Sequence, residues 1–178
     1  MRYTEHQHRH NFAVWAGARA AQRGFTGVGL LREALEQSGV ESFARQPKKL
    51  KEFDEQHSCW CNSISRFLDN KGVVGASYGR AAKLVNIYLK SMVVLRDLSG
   101  KSADVIHPPI DSILLSNLAR DPKVDISARK KLRAVRWTKM DQEEYFRVID
   151  LLRSINGERP FWEIEKYWTV SKEVVREC

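Results

Sequence analysis

The chain reads as an all-α protein, a compact multi-helix domain, and three observations predict it. Apolar residues recur at three- and four-residue spacing along almost the whole sequence. No run of alternating apolar and polar residues flanked by hairpin turns occurs. The breaks between periodic stretches carry helix punctuation, with glycine or asparagine after a helix and proline or an acid before one.

The first helix is predicted over NFAVWAGARAAQRG, with Phe12, Trp15, Ala16 and Arg19 along one side and a stop near Gly24. A second occupies GLLREALEQSG, where Leu31, Ala34 and Leu35 form the stripe and Gly39 ends it. The third is a long core helix, because Leu50, Phe53, His57, Trp60, Cys61, Ile64, Phe67 and Leu68 hold the same rhythm. Asn70, Gly72 and Gly75 interrupt the pattern before GRAAKLVNIYLKSMVVL, whose Ala81, Leu84, Val85, Tyr88 and Met92 are expected to face inward. RDLSGKSADVIH lacks periodicity and reads as a loop leading to Pro108 and Pro109. Prolines at a helix start lose no bonded amide, so a helix over 110–119 follows, with Asp111 on its first turn. A basic helix over 125–135 comes next. Asp141 with Glu144 three residues later forms a capping box for DQEEYFRVIDLLRSI, closed by Asn156 and Gly157. Pro160 opens a short aromatic helix, PFWEIEKYW, and 170–178 is expected to be a mobile tail.

A length of 178 residues with 43% hydrophobic content suits one globular unit, either a single core or two small helical lobes sharing a cleft. No apolar run approaches the roughly 20 residues that cross a bilayer. The start, MRYTEHQHRH, is polar rather than signal-like, so the expectation is a cytoplasmic monomer without a membrane partner. Three cysteines, Cys59, Cys61 and Cys178, cannot build a multi-bridge framework and fit a reducing compartment. The net charge is +8 and the sequence pI about 9.5, which meets the first criterion for a phosphate-rich partner. A basic protein with no such partner is the plain alternative.

Residues 72–118 carry the strongest chemical signal. A glycine-broken turn, GVVGASYGRAAK, joins two helices, and a loop then delivers Asp111 at the start of another. Gly75, Ser77 and Gly79 would bring backbone amides near a helix N-terminus close to a phosphate, helped by Arg80. A bent helix pair of this kind grips DNA backbone without reading sequence.

At these residues the chain resembles the helix-hairpin-helix DNA glycosylase superfamily, which includes the 8-oxoguanine and alkyl-base glycosylases. The pieces that match are Gly75 to Lys83 and the Pro109, Ile110, Asp111 triplet, together with the intervening loop about a quarter of the chain. The resemblance implies a helix-hairpin-helix element, double-stranded DNA as partner, no cofactor, and hydrolysis of an N-glycosidic bond after base flipping. It assigns to Asp111 the catalytic carboxylate that activates water and steadies the cation left as the base departs. Such a transition state needs a nearby anion, and a helix N-terminus keeps a carboxylate ionised. The family's hairpin usually separates its two glycines by one residue, whereas Ala76, Ser77 and Tyr78 lie between Gly75 and Gly79. The lysine that some members use as a nucleophile would fall at Ala81. A monofunctional, water-using enzyme is therefore expected, with Lys83 and Lys90 on an outward face as phosphate contacts.

The run ISARKKLRAVRWTK carries Arg129, Lys130, Lys131, Arg133, Arg136 and Lys139 within eleven residues, a flanking phosphate grip or a solvated face. Among five tryptophans, Trp15 and Trp60 are preferred for stacking on a flipped base. His6, His8 and His10 alternate, so an extended strand would point all three the same way, whereas His57, Cys59 and Cys61 alternate on a helix, where residues two apart point apart; with no second ligand pair at finger-like spacing, no metal site is expected. Two function classes result: a DNA glycosylase serving genome repair or defence against phage DNA, and a non-catalytic helical module binding nucleic acid or protein, in which Asp111 is only a cap.

Overall fold

The computed structural model describes residues 2–22, 24–47 and 50–169. The predicted tail, 170–178 with Cys178, lies outside the described residues. Helices α1 (Glu5–Gln22), α2 (Val28–Gln37), α3 (Val40–Arg45), α4 (Phe53–Asn70), α5 (Tyr78–Leu89), α6 (Lys101–Val105), α7 (Ser112–Leu118), α8 (Ile126–Ala134) and α9 (Gln142–Asn156) follow one another, with short 3₁₀ turns between some of them. A 3₁₀ turn at Phe161–Tyr167 closes the described chain. No strand occurs among the described residues, so the predicted fold class is the observed one. No helix among them is long and apolar enough to cross a membrane.

Helix α5 is the axis of the molecule. Tyr78, Gly79, every residue from Ala81 to Asn86, Tyr88 and Leu89 are buried, so it is enclosed on nearly all sides rather than on one stripe. Helices α1 and α4 pack along it, and α2 bridges those two. The α1 crossing is close because Gly17 lacks a side chain: a Cβ there would sit 3.0 Å from the Leu84 carbonyl oxygen. Gly79 plays the same part on another side, where a Cβ would lie 2.0 Å from the Trp137 carbonyl oxygen. Beyond Leu89 the helix widens into a π turn over Lys90–Val94, with Leu95 N–H donating to the Lys90 carbonyl at 2.9 Å. Such turns redirect side chains locally. Here the turn carries Lys90 and Ser91.

Two helix starts differ from expectation for a capping reason. Helix α1 begins at Glu5 rather than Asn11, because Thr4 and Gln7 cap reciprocally: Gln7 N–H reaches the Thr4 hydroxyl at 3.2 Å and Thr4 N–H the Gln7 side chain at 2.8 Å. His6, His8 and His10 are therefore helical, not extended. Helix α7 begins at Ser112, with Asp111 before it as N-cap rather than inside the first turn.

Candidate functional site

Asp111 is placed by what precedes it. Asn86 on α5 donates to the Pro108 carbonyl at 3.0 Å and to the Tyr145 hydroxyl at 2.9 Å. His107 pairs through Nδ1 with Tyr145 at 3.0 Å and through Nε2 with Asp54 at 2.9 Å, and Asp54 in turn accepts two bonds from Arg153, at 2.8 and 3.0 Å. His57 completes the network, with Asn86 at 2.9 Å and Tyr78 at 3.2 Å. Side chains from α4, α5 and α9 thus clamp residues 107–108, and the two prolines stiffen the step to Asp111. Burial lowers the pKa of both His57 and His107, far more for His57, so both are neutral hydrogen-bonding groups.

The Asp111 carboxylate has two engaged oxygens. One accepts from the Ile113 and Leu114 amides at 2.9 and 3.0 Å, capping α7. The other accepts from Lys83 Nζ at 3.0 Å and from the Trp168 indole N–H at 2.9 Å. Burial opposes the charge, but the indole, the Lys83 ammonium and the Leu114 amide outweigh it and hold the Asp111 pKa below the ordinary carboxylate value. Lys83 is itself only 5% exposed, with Nζ 4.5 Å from the Trp137 ring centroid. A buried ion pair is a poor device for stability, since desolvation offsets most of its attraction. Its position is more informative.

The pair sits at the wall of a groove of about 380 Å³, within the roughly 300–1,000 Å³ typical of small-ligand sites. Phe12, Ala16 and Ala20 of α1 form one side, Ile87 and Pro109 another, and Trp168 lies at the rim, 44% exposed. A second ion pair, Lys90 with Glu165, lies in the same groove. Larger cavities beside Asp54 and Arg153 and between α8 and α9 are lined by partly solvated charges and hold no buried ion pair among the described residues. The groove therefore combines apolar walls with a carboxylate and an ammonium 3.0 Å apart.

Several predicted site residues stand elsewhere than expected. Lys83 does not face outward; α1 and the segment after Trp137 cover that side of α5, which turns the lysine onto Asp111. Lys90, partly exposed, is bound to Glu165. The Gly79 amide is spent on the Met140 carbonyl at 3.1 Å, so Gly79 is a packing glycine and offers no donor to a phosphate. Ser77 caps α5 by accepting from Arg80 N–H and donates to the Thr138 carbonyl at 2.9 Å. The Arg80 guanidinium lies over the Phe25 ring, 4.0 Å from its centroid. Gly75 does occupy the exposed turn, with φ +87°, where a side chain would be strained.

On α8, Lys130 and Lys131 are exposed and Arg129 half-buried, while Arg133 donates to the Ala119 carbonyl at 3.0 Å. Trp60 is buried against Phe43 and Phe53 and cannot reach a ligand. Trp15 is exposed and 6.1 Å from Phe12, beside the groove but not in its lining. The aromatic that enters the groove is Trp168, with Phe12. His6 and His10 stack on one helix face next to Glu41, and His57 and Cys61 share a buried face with Cys59 pointing out, as helical geometry requires.

The sequence signal for Asn86, His107, Tyr145 and Glu165 was weak, because each lies on an apolar stretch whose polar member is invisible until its partners are known. No protein-family model, curated protein or solved structure matches the chain.

Proposed function

We propose that the groove receives a modified base turned out of double-stranded DNA and that Asp111 acts in its excision as a DNA glycosylase. The observation that carries this reading is the placement of Asp111: the one acid the sequence singled out is ionised, rigidly held, and opens onto an apolar, aromatic-rimmed groove. An oxocarbenium-like sugar cation beside that carboxylate would be stabilised where water is scarce, and a water within reach would lose its proton to it. Trp168 and Phe12 supply the faces between which a flipped base stacks. The exposed cations of α8 supply phosphate contacts that do not depend on sequence. A non-catalytic DNA-binding module would need the same cations but not the groove.

One distance favours a second route at the same site. Lys83 Nζ is 3.0 Å from Asp111, so the amine, its proton passed to the carboxylate, could bond to C1′ as the bond from C1′ to the base breaks and its electron pair leaves with the base, although Ala81 stands where the family's lysine would. Duplexes each carrying one of 8-oxoguanine, hypoxanthine, uracil, 3-methyladenine or 7-methylguanine test both. Release of a free base supports the excision reading, and no release from any of them contradicts it. Covalent trapping of the protein on DNA by borohydride that is lost in Lys83→Ala assigns attack to Lys83; release without trapping assigns it to water.

A further inference from the structure

The groove has two polar ends. At one, both oxygens of Asp111 are filled by donors: two backbone amides, an indole N–H and the Lys83 ammonium. At the other stands the ion pair of Lys90 with Glu165, whose side chains are 30% and 13% exposed. Lys83 and Lys90 are seven residues apart along α5 and its π turn, roughly 10 Å at 1.5 Å per residue. Trp168 spans the interval, its indole N–H on Asp111 and its ring 6.0 Å from Lys90 Nζ. A purine with its C1′ at Asp111 and its rings on Trp168 would bring its far edge to Lys90 and Glu165.

Unlike the Asp111 end, this pair has hydrogen-bonding capacity left over. Glu165 Oε2 takes the Lys90 ammonium, and Oε1 meets no donor among the described residues. Lys90 spends one of its three N–H groups on Glu165 and has no second acceptor among the described residues. A few polar groups in an apolar groove fix the orientation of what enters it and select for it.

Resting on the excision reading, we propose that Lys90 and Glu165 read the edge of the flipped base and select a purine whose ring N–H adjoins a carbonyl, as in hypoxanthine. A carboxylate only accepts and an ammonium only donates, so the pair demands one donor beside one acceptor. Charge assistance is greatest where the N–H is most acidic and the acceptor most negative. A lactam edge offers both, because its carbonyl draws charge from the ring N–H onto oxygen. Adenine presents an amino group and a bare ring nitrogen, the weaker match. No proton moves between Glu165 and the base.

Hypoxanthine and 1-methylhypoxanthine share the ring, the carbonyl and the glycosidic bond, and differ in whether N1 carries hydrogen or a methyl group. Single-turnover release from matched duplexes by the wild-type protein should favour hypoxanthine over 1-methylhypoxanthine, and over adenine, by at least about tenfold. Glu165→Ala removes the acceptor and makes room for the methyl group. It should bring the hypoxanthine and 1-methylhypoxanthine rates together, with the hypoxanthine rate falling by at least about tenfold. A merely structural pair would slow both bases alike and leave their ratio unchanged. Equal wild-type release of hypoxanthine and either of the other bases overturns the proposal, and so does a preference that survives in Glu165→Ala. Hypoxanthine left in place while another base is released overturns this inference alone. Wild-type protein releasing no base at all overturns the excision reading with it, a failure seen without any variant.

Discussion

At the scale of residues, the site depends on groups that are buried and yet polar. His57 and His107 are held neutral, chiefly by burial, while Asp54 keeps its charge against burial through His107 and Arg153. The sign of the resulting pH dependence follows from the depressed histidines. Below the ordinary histidine value of 6.5 the unfolded chain takes up protons that the folded chain refuses, so stability is full above that value and falls as pH falls through it. Each histidine contributes a slope of up to about 1.4 kcal/mol per pH unit. The depressed Asp54 and Asp111 extend the loss below their ordinary value of 3.8. Thermal melts between pH 8 and pH 5 should show a flat upper range and a decline beginning near 6.5; a melting temperature constant across that range contradicts the account of a neutral histidine core.

At the scale of elements, α5 explains most of what the sequence concealed. Its apolar positions were legible, and Ala81, Leu84, Val85, Tyr88 and Met92 are all buried as the periodicity requires. Lys83 and Asn86 lie off that stripe and read as solvated, because a single helix cannot show that neighbours cover its remaining face. The glycines misled for a related reason: a glycine before a helix signals both phosphate approach and close packing, and Gly79 serves the second. Gly79→Ala drives a Cβ into the Trp137 carbonyl and displaces the segment that backs Lys83. It should cost about 1–3 kcal/mol, read as a lowered denaturation midpoint. A midpoint equal to wild type would show that the Trp137 segment yields freely. By contrast the start of α9 was readable from Asp141 and Glu144, and Asp141 accepts the Glu144 amide hydrogen as a cap does, whereas Asp125, expected inside α8, is its N-cap.

At the scale of the whole molecule, the all-helical architecture was legible in periodicity and punctuation, while the groove was not. It forms where α1, α5, the residues before α7 and the last 3₁₀ turn converge, and its lining is drawn from positions 12 to 168. No local pattern encodes such a meeting. The net charge of +8 acts at this scale too. Lys130 and Lys131 are exposed on α8, so reversing both to glutamate should weaken duplex binding and flatten its dependence on salt, without altering the groove. Unchanged affinity and an unchanged salt slope would remove α8 from the DNA contact surface.

The central claim is that Asp111 is a reagent as well as a cap. Asp111→Asn separates the two, because the asparagine oxygen can still cap α7, while the amide group in place of the other oxygen cannot accept from Lys83, take a proton or offset a sugar cation. Single-turnover base release, measured beside duplex affinity on the same variant, is the most direct test. The account predicts affinity within the wild-type range and release abolished; release at the wild-type rate from the asparagine variant would contradict it.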